Sequence, residues 1–270
     1  MTDTNDHTGL QLRSLYDPAG GVKQVFSSKV TDYVTSRPDY PEPLFEQLRT
    51  AGNLQSGSLI ADIGAGTGLL TQGLLQHGYR VVAVEPNAAM RNAADALLGQ
   101  FSNYRSVGGA AESTPLDSST IDLITVAQAF HWFDPEQTKL ECLRVLRPEG
   151  KVALIWNDRV CSDPLQVAIE EVFAEYGGRK RALLVAHNQQ RDVSSFFGAA
   201  VLAHFSYPHK HSLDEAGLVG LAFSRSYMPD RSASAGQQAV ERIHQIFQQF
   251  SASERVEVRY ITTVFIGRPQ

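Results

Sequence analysis

Between residues 58 and 156, short apolar runs alternate with stretches of helical periodicity, and this alternation restricts the fold more than any other feature of the chain. The runs are Ser58–Ile63, Arg80–Glu85, Tyr104–Val107, Ile121–Ala127 and Lys151–Trp156. Between them lie helical spacings at Thr67–His77, at Asn87–Leu98 with Asn87 as N-cap, and at Asp134–Leu146. Runs so rich in Val, Ile, Leu and Ala read as strands buried on both faces, the pattern of a parallel sheet joined by crossover helices. The expected class is α/β.

The flanks read differently. Residues 1–15 are polar and predict a loose tail, and Phe26–Leu48 reads as two helices broken by Arg37-Pro38-Asp39-Tyr40-Pro41-Glu42-Pro43, a candidate flap. After Trp156 the spacing predicts helices over Pro164–Tyr176 and Ala235–Phe250, a strand over Val201–Tyr207, a turn near 224–229 and a closing strand over Glu257–Gly267. The division expected is a tail and flap (1–50), a core (51–160), a helical lid or substrate region with one late strand (161–250) and a closing strand of the core sheet (251–270).

Charge and cysteine usage remove several classes. The chain has 24 Lys+Arg against 29 Asp+Glu, a formal net charge of -5, so no overall positive field draws nucleic acid or anionic lipid. Cys142 and Cys161 form neither a Cys-x-x-Cys nor a zinc-type cluster, which argues against a disulfide scaffold and a structural metal. His209 and His211 share a strand face by their period of two and read as a solvated face; no metal is assigned. Without an apolar leader or membrane-length stretch, the sequence predicts a cytoplasmic protein, monomer or homodimer, with no membrane and no nucleic-acid partner.

The chemistry concentrates in Asp62-Ile-Gly64-Ala65-Gly66-Thr-Gly68-Leu-Leu70, between the first strand and the first crossover helix. Glycines there permit a tight turn and close ligand approach, and the helix start offers unpaired N–H groups. About twenty positions on, Glu85 ends the second strand, where a carboxylate accepts both hydroxyls of a ribose. A dinucleotide fingerprint needs a third glycine at position 69, which is Leu69, and no Gly-Lys-Ser/Thr follows for a phosphate loop.

Asp62 to Leu70 resembles the first motif of class I S-adenosylmethionine-dependent methyltransferases. Val84-Glu85-Pro86-Asn87-Ala-Ala-Met90 resembles their second, and Gly109-Ala-Ala111-Glu112-Ser-Thr-Pro115 their adenine-edge loop, with Ala110 where many relatives carry Asp. Ala127-Gln128-Ala-Phe130-His131-Trp132-Phe133-Asp134 resembles the fourth-strand tip of the small-molecule branch (methyltransferase type 11) that includes trans-aconitate methyltransferase-like proteins. Arg144–Gly150 and the Tyr33–Pro41 segment also match. The resemblance implies a Rossmann-like seven-stranded, mostly parallel sheet with an antiparallel last strand and a helical lid. It implies S-adenosyl-L-methionine as cofactor, held by Asp62, Gly64, Ala65, Gly66, Gly68, Glu85, Pro86, Met90, Ala111, Glu112, Ala127, Gln128, Tyr33 and Arg37.

For the acceptor, the expectation is a small molecule methylated on oxygen, lined by Trp132, Arg159, Arg225 and Tyr227, with His131 as the catalytic group able to activate a hydroxyl. Two rivals remain open: a SAM-binding protein without turnover, and a methyltransferase acting on nucleic acid or protein.

Overall fold

The computed structural model describes residues 27, 29–189, 193–198 and 203–270. The helices are α1 (Val30–Ser36), α2 (Glu42–Ala51), α3 (Leu69–Gln76), α4 (Ala88–Leu98), α5 (Pro135–Val145), α6 (Pro164–Tyr176), α7 (Gly178–Gln189), α8 (Val193–Phe197), α9 (Glu215–Phe223) and α10 (Ser234–Phe250). The strands are β1 (Leu59–Ile63), β2 (Arg80–Val84), β3 (Tyr104–Val107), β4 (Ile121–Ala127), β5 (Leu146–Arg159), β6 (Ala203–Leu213) and β7 (Val256–Gly267). The expected tail, Phe26 and Val201 lie outside the described residues.

All seven strands form one sheet in the order β3-β2-β1-β4-β5-β7-β6. The pairs β1 with β2, β1 with β4, β2 with β3 and β4 with β5 are parallel, and the last strand, β7, is antiparallel, as expected. Strand β5 is longer than its apolar segment predicts: it starts at Leu146, opposite Ile121, and a register irregularity separates that pair from Leu123–Lys151. The Arg144–Gly150 turn is thus strand from its third residue onward.

The chain divides into two compact units. The core unit holds the described residues among 39–158, 192–208 and 261–270. Alternation along its strands sends Ile63, Val82, Val84, Val126 and Leu154 to one face, with Cys142, Val145, Phe196 and Phe197 packed on them. Ile60, Val81, Leu123 and Ile155 go to the other face, under Leu44, Leu48, Leu70 and Leu74. Both faces being covered explains why these strands read as continuous apolar runs.

The second unit holds the described residues among 1–38, 159–191 and 209–260. Its core joins α6, α9 and α10 to the first half of β7 through Phe173, Leu218, Phe223, Ile243, Ile246, Val258 and Tyr260. Helix α9 crosses α1 closely: a Cβ added at Gly220 would lie 2.1 Å from Ser36 Oγ. Among the described helices none is long and apolar enough to cross a membrane.

Candidate functional site

The loop after β1 is shaped by backbone conformations that L side chains rarely adopt. Gly64, Gly66 and Gly68 have φ of 71°, 58° and 84°. At Gly64 an added Cβ would meet Ala129 Cβ at 2.6 Å, so glycine is required both by conformation and by the approach of the β4 tip. Gly64 N–H and Ala65 N–H donate to Val84 O at 2.8 and 3.3 Å, which hangs the loop on the end of β2. Gly68 is the N-cap of α3 and supplies no side-chain cap.

Glu85 closes this loop. One carboxylate oxygen accepts from Gly66 N–H at 3.0 Å and the other from Asn87 N–H at 2.8 Å, while its backbone carbonyl accepts from Arg91 Nη1 at 2.6 Å. Asn87 caps α4 as expected, its side chain accepting from Ala89 N–H and Met90 N–H. Met90 is buried beneath the turn. Glu85 therefore spans the glycine loop and the β2–α4 turn.

Beneath the loop, Asp62 is buried on β1 and accepts from Thr71 Oγ1 at 2.6 Å and Thr125 Oγ1 at 2.9 Å. Burial, reinforced by the Glu85 charge, pushes its carboxyl up to about 6 against the pull of both hydroxyls. Thr67, within the loop, has a buried hydroxyl with no hydrogen-bond partner. An unsatisfied buried hydroxyl between two left-handed glycines fits a loop shaped around a polar ligand.

The next two motifs converge on the same unit. Ala111 is buried. Glu112 accepts from Asp134 N–H at 2.8 Å and so joins the 109–115 loop to the start of α5. Glu141 accepts from Thr114 N–H at 2.8 Å and Thr114 Oγ1 at 2.6 Å, and Arg144 grips Glu141 through Nε and Nη2 at 2.7 and 2.6 Å. Arg144 also donates to Leu116 O at 2.9 Å. These hydrogen bonds hold Glu141 below the usual carboxylate range despite burial. Sequence reasoning did not single out this pair; an acid and an arginine three apart on a helix face were the available signal.

At the tip of β4, Gln128 holds a left-handed φ of 57°, its N–H donates to Ile155 O at 2.9 Å, and its side-chain amide reaches Asn157 O at 3.4 Å. A non-glycine residue held in that region marks a constrained turn. Phe130, His131 and Trp132 follow in one 3₁₀ turn, with the His131 and Trp132 rings 4.7 Å apart. Phe130 packs on Trp156 and Phe196, so this aromatic belongs to the core, whereas His131 and Trp132 are half-buried.

The remaining expected residues, Tyr33, Arg37, Arg159, Arg225 and Tyr227, lie in the second unit. Arg37 stacks over Tyr33 at 4.7 Å and donates to Ser224 O at 3.2 Å. Arg159 and Arg225 both stand over the Phe173 ring, at 5.1 and 5.3 Å. Phe173 meets Tyr227 edge-on at 5.7 Å. Cys142 is buried, which pushes its thiol up to about 12, and Cys161 is exposed. Residues His209 and His211 keep period two on β6, and His211 Nε2 lies 3.2 Å from Ser36 O.

A family model, the methyltransferase domain, matches residues 61–154, the segment that holds the glycine loop, Glu85 and the β4 tip. The likeness to a methyltransferase domain therefore covers that segment, about a third of the chain. The chain is 27% identical over 246 residues to an uncharacterized methyltransferase-like protein of Schizosaccharomyces pombe, covering 90% of this chain and 94% of that one. An uncharacterized methyltransferase of Mycobacterium tuberculosis is 41% identical over 134 residues, which is 50% of this chain and 52% of the relative, so that match spans about half of either protein. In fold, the chain is similar to a solved structure from Anaeromyxobacter dehalogenans described as a type II methyltransferase, with a TM-score of 0.60 and 19% identity over 86% of this chain and 97% of that one.

Proposed function

We propose that this chain moves the methyl group of S-adenosylmethionine to an oxygen, hydroxyl or carboxylate, of a small-molecule acceptor by in-line displacement. The observation that carries the cofactor half of this reading is the Glu85 carboxylate bonded to Gly66 N–H, within a loop of three left-handed glycines. Asp62, Gly64, Ala65, Gly66, Gly68, Glu85, Pro86, Met90, Ala111, Glu112, Ala127 and Gln128 hold the cofactor in this reading, and Tyr33 and Arg37 are assigned to it by the resemblance alone. When bound, the cofactor supplies a methyl group already made electrophilic by its sulfonium. The chain then has to align the nucleophile and exclude water.

A carboxylate acceptor needs no base at neutral pH, whereas a hydroxyl needs one, and His131 at the β4 tip is the base proposed for it. Trp132, Arg159, Arg225 and Tyr227 are proposed for the acceptor. The acidic balance of the chain weighs against nucleic acid in that role. Incubation with S-adenosylmethionine labelled in its methyl group, with a metabolite extract, RNA and protein offered separately, tests the reading. Label should enter the metabolite fraction; label confined to RNA or protein would refute the small-molecule acceptor, and cofactor binding without transfer to any fraction would refute turnover.

A further inference from the structure

In the second unit three arginines share one small region with almost no carboxylate to answer them. Arg159 and Arg225 both stand over the Phe173 ring, and Arg37 is tied to the carbonyl of Ser224, the residue before Arg225. Arg159 is paired with Glu170, which Arg181 also grips, so that one carboxylate serves two guanidiniums. Among the described residues Arg37 and Arg225 pair with no carboxylate. The Nε atoms of Arg37 and Arg225 are buried without hydrogen-bond partners. Tyr260, only 3% exposed, ends in a hydroxyl that also has none.

These facts describe a cluster short of acceptors and of negative charge. Burial holds Arg225 down to about 10, and the Arg37 and Arg159 charges push in the same direction. The same three guanidiniums act on the Tyr260 hydroxyl, whose own value burial raises, so that it stays protonated and able to donate. Uncompensated cations are costly in such a place unless an anion joins them. Planar guanidinium forks bind oxyanions two bonds at a time, and the buried Phe173 ring beneath Arg159 and Arg225 fixes where those forks stand.

We propose that Arg37, Arg159, Arg225 and the Tyr260 hydroxyl form a ready-made subsite for a small organic dianion, whose oxyanion groups the arginines hold. The anion binding stands on this cluster; its identity as the methyl acceptor rests on the function proposed above. Tyr260 is a residue that the sequence pattern did not suggest, because it sits mid-strand in the alternating run of β7.

Calorimetric titration of the full chain separates the possibilities. The probes are succinate, glycerol phosphate, inorganic phosphate and acetate, at matched ionic strength, with S-adenosylhomocysteine titrated separately as a check on the folded cofactor site. Saturable binding of succinate or glycerol phosphate, tighter than acetate and inorganic phosphate, is expected, and the better of the two identifies the oxyanion as carboxylate or phosphate. Arg225→Met should weaken that binding roughly tenfold or more, and Tyr260→Phe, which keeps the ring, by a few-fold, with S-adenosylhomocysteine affinity unchanged. No saturable dianion binding by the wild-type chain, or equal binding by both variants, would overturn the subsite. Arg225-dependent dianion binding without methyl transfer to any acid would uphold the subsite and refute the acceptor reading instead.

Discussion

Asp62 makes a quantitative prediction, because it is a carboxylate sealed beneath the glycine loop with two hydroxyls and no cation for company. Its exposure is 1%, and burial outweighs the hydrogen bonds from Thr71 and Thr125 to raise it from 3.8 to about 6. A shift of about two pKa units corresponds to roughly 3 kcal/mol. A carboxyl raised in the folded state contributes stability that is fully present below its unfolded value, about pH 4, and lost as the pH rises through about 6. At neutral pH the fold therefore tolerates an ionised Asp62 at a cost near that size.

Asp62→Asn removes the titration and keeps the shape, since the amide accepts from one threonine hydroxyl and donates to the oxygen of the other. Urea unfolding of both proteins across pH 4 to 7 gives the difference in stability, in which distant carboxylates cancel. The variant should gain about 3 kcal/mol relative to wild type over that range, flattening above about pH 6.5. A difference independent of pH would refute the dominance of burial, and one of opposite sign would show that the two hydroxyls win.

Glu85→Ala should weaken S-adenosylhomocysteine binding by about 1.5–3 kcal/mol and also lower the stability of the ligand-free protein, since it deletes the bonds from Gly66 and Asn87; unchanged calorimetry and unchanged melting together would refute both roles. Gly64→Val forces a β-branched residue to a φ of 71° against Ala129, and chemical denaturation should show a loss of at least about 2 kcal/mol; wild-type stability would mean that the loop relaxes freely. Glu141→Ala leaves Thr114 and Arg144 without their shared acceptor and should cost about 2–4 kcal/mol in urea unfolding, with a null effect refuting the clamp on the 113–118 loop. With a hydroxyl acceptor, His131→Ala should slow single-turnover methyl transfer roughly 10²–10⁴-fold at unchanged cofactor affinity, whereas full activity would remove His131 from the chemistry.

The parallel strands were legible because burial on both faces leaves nothing but apolar residues in them, and Tyr104–Val107 and Ile121–Ala127 fall where the sequence places them. The cap at Asn87 was legible because its chemistry is local. Helix α9 was not: Glu215–Phe223 is apolar all round, carries Gly217 and Gly220, and so shows no 3.6-residue stripe. The second half of β6 was hidden by His209, Lys210 and His211: Lys210 takes the exposed face, while the two histidines, expected on a solvated face, are half-buried on the other, with His211 against Ser36 O. In the site, the glycine loop and Glu85 announced themselves by spacing, but the bonds from Thr71 and Thr125 to Asp62 join residues 9 and 63 positions apart, and no local pattern encodes them. The arginine cluster was visible only as separate turn residues; its shortage of carboxylates is a property of three dimensions.

The place of β7 in the sheet bears on how the chain is built during translation. Strand β6 has β7 as its one neighbour, and β7 separates it from β5. On the ribosome, β1 to β5 can pair as soon as they emerge, but β6 must wait for residues 256–267 before it gains any strand partner. Through that interval the nascent chain exposes two unpaired edges, on β5 and on β6, to other chains and to chaperones. A stop codon between residues 214 and 255 would make that transient state permanent, leaving a polypeptide that retains every glycine of the loop after β1 yet is prone to aggregate.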